Sequence, residues 1–417
     1  MRRADRYAGL LKQDRIHASF YTDPQVFDDE METLFHRGWT FVGHTSEIPR
    51  TGDYVLRRIG RQNVVFVRDE HGDVQVLLNR CSHRGNMLLW QEAGNTRRAM
   101  TCAYHGWSFN LRGTLIGVPY DKGLNRSREE LALARAVAVE QYRGFVFACL
   151  LAHPAVDLAG HLGPAVKLID RTCDLSPEGE IDLSAGWLKH SIDANWKLVA
   201  DNNTDGYHVG FVHRSFLQAF SSQYETSVGR REEELKGVTR DWGGGHGELE
   251  FASTYQRPLD WLTGREERYA NYAAAMEDRY GKERARQMLF DGPSHATIFP
   301  NLFLGEMNVE ILQPTAADRV TVAVSPLLLK GAPEVNRRSL QQTPAAMGPA
   351  AFLFADDAVL AERNQIGLTA RRPEWVDLGR GLNRQTKADG VIEGHFTDEV
   401  SARAFWLHYA EVMRSAA

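Results

Sequence analysis

Cysteine is scarce in this chain: Cys81, Cys102, Cys149 and Cys173 are the only four in 417 residues, too few for a disulfide framework to hold a protein of this length. Long apolar runs are also missing. None approaches the roughly 20 residues needed to span a bilayer, and the start Met1-Arg2-Arg3-Ala4-Asp5-Arg6 lacks the apolar stretch of a secretory leader. The expectation is a cytoplasmic protein in a reducing compartment, where thiolates stay available for metal. There is no basic excess, and the net charge of −5 argues against a general nucleic-acid binder. Nothing argues for a membrane surface. Internal repeats and low-complexity tracts are absent. The glycine-rich run Gly243-Gly244-Gly245-His246-Gly247 reads as a flexible turn, because a phosphate loop needs a preceding strand and a following helix with Lys-Ser/Thr. With 43% apolar residues, the chain can bury a large core, in two or three domains by length alone.

Two of the four cysteines stand in mixed pairs with histidine. Cys81-Ser82-His83 is followed, after eighteen residues, by Cys102-Ala103-Tyr104-His105, and the pairs run on into Arg84-Gly85-Asn86 and Gly106-Trp107. A structural zinc site is the competing reading, but its spacing usually pairs Cys with Cys and His with His. Two thiolates on one iron and two neutral imidazoles on the other is instead the Rieske arrangement of a [2Fe-2S] cluster, with Cys81, His83, Cys102 and His105 as its ligands. The glycines would let each pair sit on a hairpin loop, both loops closing over one cluster. Cys149, within the apolar run Gly144-Phe145-Val146-Phe147-Ala148-Cys149-Leu150, and Cys173 read as buried small hydrophobes.

From about Trp39 to Leu151 the chain is turn-rich, with short alternating stretches such as Asn63–Asp69 and Val74–Leu77 flanking Glu70-His71-Gly72-Asp73. These predict an all-β domain carrying the cluster. Before it, residues 24–37 have helical spacing, with Asp23 beside Pro24 as an N-cap neighbour. After His153-Pro154, residues 196–213 and 261–288 are helix-like, 215–226 is less regular, and 296–304 and 320–324 read as strands. The fold class expected is α+β, an all-β cluster domain placed before a larger α+β domain built on an antiparallel sheet with helices. The boundaries are 1–38 for an N-terminal arm packing on the larger domain, 39–157 for the cluster domain and 158–417 for the larger domain.

Within that larger domain, Asn202, Asp205, His208 and His213 fall inside twelve residues. Two histidines and a carboxylate on one face of an iron leave other positions open for dioxygen. Asp205 and His208, three apart, are expected to share a helix face. His208 and His213, five apart, would diverge on a regular helix, so an irregular turn or helix end is expected between them. Alone, such a histidine pair is an ordinary structural feature; beside a Rieske cluster it becomes a candidate ligand set.

The segment Asp201-Asn202-Asn203-Thr204-Asp205-Gly206-Tyr207-His208-Val209-Gly210-Phe211-Val212-His213 closely resembles the iron-site motif of the large (α) subunit of the aromatic-ring-hydroxylating dioxygenases, a likeness that covers nearly the whole chain. Asp201 departs from it, since many relatives have Glu there, and is expected as a tolerated change in the surroundings of the iron. The resemblance implies that His208, His213 and an Asp further on hold a mononuclear Fe(II). Gly348-Pro349-Ala350-Ala351-Phe352-Leu353-Phe354-Ala355-Asp356-Asp357 matches the segment before that ligand and favours Asp357, with Asp356 the alternative. It further implies that Asn202 lies near the iron, and that Asp205 links an iron histidine to His105 of a neighbouring subunit in a trimer-based assembly. Tyr207 is either near the site or a structural aromatic.

The implied function is insertion of dioxygen into an aromatic ring, giving a cis-dihydrodiol. Electrons would come from NAD(P)H through a ferredoxin or reductase, and a small β subunit would complete the assembly. A Rieske monooxygenase or demethylase, and a non-catalytic electron carrier, remain the alternatives. Gly390-Val391-Ile392-Glu393-Gly394-His395-Phe396-Thr397-Asp398-Glu399 and Arg403-Ala404-Phe405-Trp406 look most like the benzoate, anthranilate and salicylate branch, which implies a carboxylated arene held by an Arg that the sequence does not single out. Phe211, Val212, Phe216, Leu217, Asn301, Leu302 and Phe303 are the expected pocket residues.

Overall fold

The computed structural model describes residues 6–7, 9–151, 153–219, 231–262, 266–349 and 351–415. Residues 1–5 of the expected arm, 220–226 of the irregular stretch, 263–265 of the long helical stretch and Ala350 lie outside them. The chain forms two compact units, Met31–Leu158 and a second made of Met1–Glu30 with Ala159–Ala417. Among the described residues no helix is long and apolar enough to cross a membrane.

The unit Met31–Leu158 is built from three small antiparallel sheets. One runs Val74–Leu78, Gln62–Arg68, Asp53–Ile59, Ala93–Asn95; a second Ala99–Thr101, Ser108–Asn110, Leu115–Gly117; a third Ala138–Tyr142, Phe145–Cys149, Thr40–His44. The tight turn after Arg68 is fixed by Asp69, whose Oδ1 accepts from the N–H groups of His71 and Asp73 at 2.9 Å each. Gly72 there has φ +86°, open to a residue without Cβ. The alternation expected along Asn63–Asp69 gives way to a run, Val64 to Val67, that is fully buried at every position. This strand lies inside its sheet with both faces covered, so neither needs polar residues. Cys149 and Cys173 are both fully buried.

In the other unit, the centre is a nine-stranded antiparallel sheet in the order Leu188–Ile192, Arg319–Pro326, Asn308–Ala316, Leu302–Leu304, Ala296–Ile298, Gly247–Glu250, Val238–Asp241, Val391–His395, Thr386–Ala388. The stretch 296–304 is therefore a hairpin of two strands. The stretch 261–288 is not one helix. Gly281, at φ +80° and ψ 152°, separates Ala270–Tyr280 from Lys282–Asp291, because a glycine in that conformation cannot continue a helix.

Helix Pro24–Glu30 opens with Asp23 Oδ1 accepting from the Gln25 N–H at 2.9 Å, and its last residue closes the unit. Glu30, fully buried, pairs with the Lys197 ammonium and accepts from Trp196 Nε1 at 2.9 Å and the Tyr409 hydroxyl at 2.6 Å. Removing one partner from such a buried pair costs about 3–5 kcal/mol, because the other charge is left without compensation. Asp201 makes a similar join: Tyr21 OH donates to Oδ2 at 2.6 Å and Trp406 Nε1 to Oδ1 at 2.9 Å. Its carboxylate is a clamp between helices rather than part of the surroundings of the iron, and burial pushes its pKa up to about 7.

Candidate metal centres and active-site cavity

The loops carrying the two Cys/His pairs are built alike. The Cys81 N–H donates to Asn86 O and the Cys102 N–H to Trp107 O, each at 2.8 Å, while Gly85 N–H and Gly106 N–H donate back to the cysteine carbonyls at 3.0 and 2.9 Å. Both glycines have positive φ, +76° and +71°, and a Cβ on Gly106 would meet Pro119 at 3.0 Å. In each loop the N–H groups two and three residues on, His83 and Arg84 or Tyr104 and His105, point at the cysteine sulfur. Burial opposes the thiolate at both positions; at Cys102 these donors, with Asn86 Nδ2 at 3.7 Å, outweigh it and hold the thiol below its usual range. Hydrogen bonds to sulfur also tune the potential of a cluster. The thiols are buried and neighbour one another. The His83 and His105 rings lie 4.5 Å apart, and His83 stacks on Trp107 at 4.6 Å. Two sulfurs inside and two imidazoles outside fit a Rieske cluster and no disulfide.

His208, His213 and Asp357 also come together. Asp357 Oδ1 lies 3.6 Å from His208 Nε2 and 3.3 Å from His213 Nε2, and this buried oxygen accepts no hydrogen bond among the described residues. Two imidazole nitrogens and a carboxylate oxygen converging without a donor suit a divalent iron with open positions. Asp357 sits in the first turn of helix Phe354–Gly367. Its neighbour Asp356 makes no ion pair with either histidine.

The helix expected over residues 196–213 is interrupted. Trp196–Asn203 ends at Thr204, and a single turn, Val209–Val212, separates His208 from His213. Asp205 and His208 therefore meet across a bend, not along a helix face. Asp205 Oδ1 accepts from Tyr207 N–H at 2.7 Å, and Oδ2 faces His208 Nδ1 at 3.2 Å; a side chain that captures a nearby N–H in this way competes with helix bonding. Gly206 permits the bend, since a Cβ there would run into Phe396 O. Burial opposes the imidazolium of His208, but the hydrogen bond and charge of Asp205, then the charge of Asp357, hold its pKa above the usual value. Tyr207 stacks under the Arg380 guanidinium at 4.1 Å.

Asp205, His208, His213 and Asp357 line a cavity of about 600 Å³. Asn202 lines it, as does Asn203, whose carbonyl accepts from His295 Nε2 at 2.9 Å. Of the expected pocket residues, Phe216, Leu217 and Phe303 are in the wall; Phe211, Val212, Asn301 and Leu302 are not. Phe211 is exposed, and Asn301 and Leu302 are buried in the hairpin. The sequence reading missed Tyr255, His295, Glu306 and Glu310, all in the wall. Burial, and then the nearby Asp357, push Glu310 up to about 8. Lys236 and Arg257 are the cationic side chains in the wall among the described residues. Arg403 is not available to a ligand: its guanidinium is buried on Leu378 O, Arg380 O and Gln385 Oε1.

Residues 38–135 match the Rieske [2Fe-2S] domain, and residues 179–415 match the ring hydroxylating alpha subunit (catalytic domain). The chain belongs to the ring-hydroxylating dioxygenase α-subunit family. It is 29% identical to the 2-halobenzoate 1,2-dioxygenase large subunit of Burkholderia cepacia, covering 88% of this chain and 80% of that protein. To the large oxygenase component of the naphthalene 1,2-dioxygenase system of Pseudomonas aeruginosa it is 31% identical, covering 98% and 93%. The fold is similar to that of naphthalene 1,2-dioxygenase with indole bound in the active site, with TM-score 0.87 at 26% identity over 100% of this chain and 96% of that one. As a member of the family the chain is an oxidoreductase that hydroxylates aromatic rings, with a Rieske [2Fe-2S] cluster and a mononuclear iron as its metal centres.

Proposed function

We propose that the chain is the terminal oxygenase large subunit for an aromatic carboxylate, inserting both atoms of dioxygen into one ring face to give a cis-dihydrodiol. Cys81, Cys102, His83 and His105 hold the cluster, and His208, His213 and Asp357 hold Fe(II). The observation that carries this reading is the convergence of two imidazole nitrogens on the unpaired oxygen of Asp357 at the wall of a largely apolar cavity. When bound, the iron supplies activation of dioxygen and the cluster supplies electrons.

The protein's own residues do the rest. Asp205 accepts the Nδ1 proton of His208, which leaves the Nε2 lone pair aimed toward Asp357. Phe216, Leu217 and Phe303 keep one wall apolar, so a flat ring displaces water on entry. Lys236 supplies positive charge for a carboxylate, whereas Arg257 is already paired with Asp260 in the same wall. The relatives named for 2-halobenzoate, anthranilate and toluate support that substrate class.

Electrons reach the cluster from NAD(P)H through a ferredoxin or reductase. Asp205, with spare lone pairs on both oxygens, links His208 to His105 of a neighbouring subunit, which requires a ring such as a trimer. A small β subunit and a cytoplasmic location complete the proposal. Turnover of a panel of benzoates under ¹⁸O₂ tests it: two labelled atoms in one product support dioxygenation, whereas a single labelled atom moves the chain to the monooxygenase or demethylase reading.

A further inference from the structure

One wall of the cavity carries a carboxyl group that no structural need explains. Glu306 sits in the tight turn between strands Leu302–Leu304 and Asn308–Ala316, lines the cavity and keeps part of its surface accessible from within it. One oxygen, Oε1, accepts from the Tyr255 hydroxyl at 3.2 Å; Oε2 has no hydrogen-bond partner among the described residues. Among the described residues no cation pairs with it. Burial and the Tyr255 hydroxyl are the influences on its ionisation, and burial pushes it up to about 7. A buried carboxyl with one bond and no counter-ion is costly unless something else supplies a donor.

The turn is held in place. Gly305 N–H donates to Asn308 O at 2.8 Å and Leu327 N–H to Met307 O at 2.9 Å. Met307 O also accepts from Ser339 Oγ at 2.8 Å and Thr343 Oγ1 at 3.2 Å, fastening the turn to helix Pro333–Met347. Asn308, in the same wall, spends its amide N–H on Glu310 Oε1 at 3.0 Å, which leaves its carbonyl oxygen as another acceptor. Tyr255, its pKa pushed well up, chiefly by burial, stays protonated and keeps Glu306 in one orientation. The result is a rigid acceptor site in the cavity wall, the kind of preorganised polar group that fixes ligand orientation.

We propose that Glu306, oriented by Tyr255 and flanked by Asn308, recognises a hydrogen-bond-donating substituent, an amino or hydroxyl group, on the aromatic ring of the substrate. This rests on the assignment of the cavity to an arene carboxylate and narrows it: with Lys236 in the wall to meet a carboxylate, the fitting ligand carries both a donor and an acid. A site built to bond a donor discriminates strongly against an analogue that lacks it, because its own polar groups are then left unpaired.

The test compares the three aminobenzoates with the three methylbenzoates, near-isosteric pairs that differ in the donor. Binding to the iron-loaded protein is measured by calorimetry without dioxygen, and product formation is measured separately. At least one aminobenzoate should bind roughly tenfold to a hundredfold more tightly than its methyl counterpart. In Glu306→Leu that preference should vanish while methylbenzoate binding changes little. Glu306→Gln, nearly isosteric, presents an N–H where the carboxylate stood and should also lose the preference for the amine. Equal binding of both series to the wild type, or a preference that survives both substitutions, overturns the proposal. If the preference is present but no arene is oxygenated, the subsite stands and the ring-hydroxylation reading falls. If arenes are oxygenated with no preference, the subsite alone falls.

Discussion

Asp205 Oδ2 lies 3.2 Å from Nδ1 of His208, while Nε2 of the same ring faces Asp357 at 3.6 Å. One imidazole is therefore held between two carboxylates with different tasks, one fixing its tautomer and the other sharing its lone-pair side. Asp205→Asn should keep both metals and the fold yet slow transfer from reduced cluster to iron by at least an order of magnitude, since an amide is a weaker acceptor without charge. Single-turnover oxidation of the pre-reduced cluster with substrate and dioxygen measures this. A rate equal to wild type would end the bridging role.

His213→Ala and Asp357→Ala should each empty the mononuclear site and abolish oxygenation while leaving the visible spectrum of the cluster unchanged, because the two centres use disjoint residues. Asp356→Ala should retain most of the iron. Metal analysis of the three variants decides between the adjacent aspartates: iron lost in Asp356→Ala and kept in Asp357→Ala reverses the assignment.

Cys102→Ser should lose the cluster, since a hydroxyl replaces a thiolate poorly on iron. The catalytic unit has its own core and should remain folded and able to bind iron. Retention of the wild-type visible spectrum in the purified variant would contradict the ligand assignment.

The His246 ring is buried with both nitrogens committed: Nε2–H donates to His161 O at 2.9 Å and Nδ1 accepts from Phe299 N–H at 3.0 Å. Burial pushes its pKa down to about 4, with the neighbouring His408 adding to the effect. The unfolded chain, with an ordinary histidine near 6.5, binds more protons between those values. Stability is thus fully present above about pH 6.5 and lost as pH falls towards 4, by on the order of 3 kcal/mol from this ring. Urea unfolding at pH 7.5, 6 and 5 should show a shallower acid loss in His246→Asn, which is less stable at the start; parallel losses in the two proteins would discard the assignment.

Local chemistry was what the sequence disclosed. Each Cys/His pair lies within a few residues, and the glycine four residues after each cysteine, Gly85 and Gly106, announces the turn that exposes it. Asp205, His208 and His213 lie close together for the same reason. What the sequence concealed depends on long-range pairing. Tyr255 and Glu306 are 51 residues apart and meet only because the strands between them register in one sheet. The breaks at Asp205-Gly206 and Gly281 were hidden behind helical periodicity, which counts apolar spacing and ignores one captured N–H or one positive φ. The part Asp201 plays as a clamp was hidden because its partners Tyr21 and Trp406 are 180 and 205 residues away. Of the residues resembling the benzoate branch, Asp398 and Arg403 are committed to internal bonds that hold the scaffold, while Phe396 lines the cavity and shapes it.

The buried join at Glu30 carries a consequence for synthesis. Its partners Lys197 and Tyr409 are 167 and 379 residues away, so on the ribosome this carboxylate emerges early, waits for its counter-ion, and gains its last donor only when almost the entire remaining chain is made. The stretch Met31–Leu158 holds its own core and can fold as it emerges, as units generally do during translation. The catalytic unit cannot close until helix Val400–Ser415 is made and delivers Tyr409. A stalled or truncated nascent chain would therefore display a finished cluster scaffold tethered to an open, aggregation-prone partner.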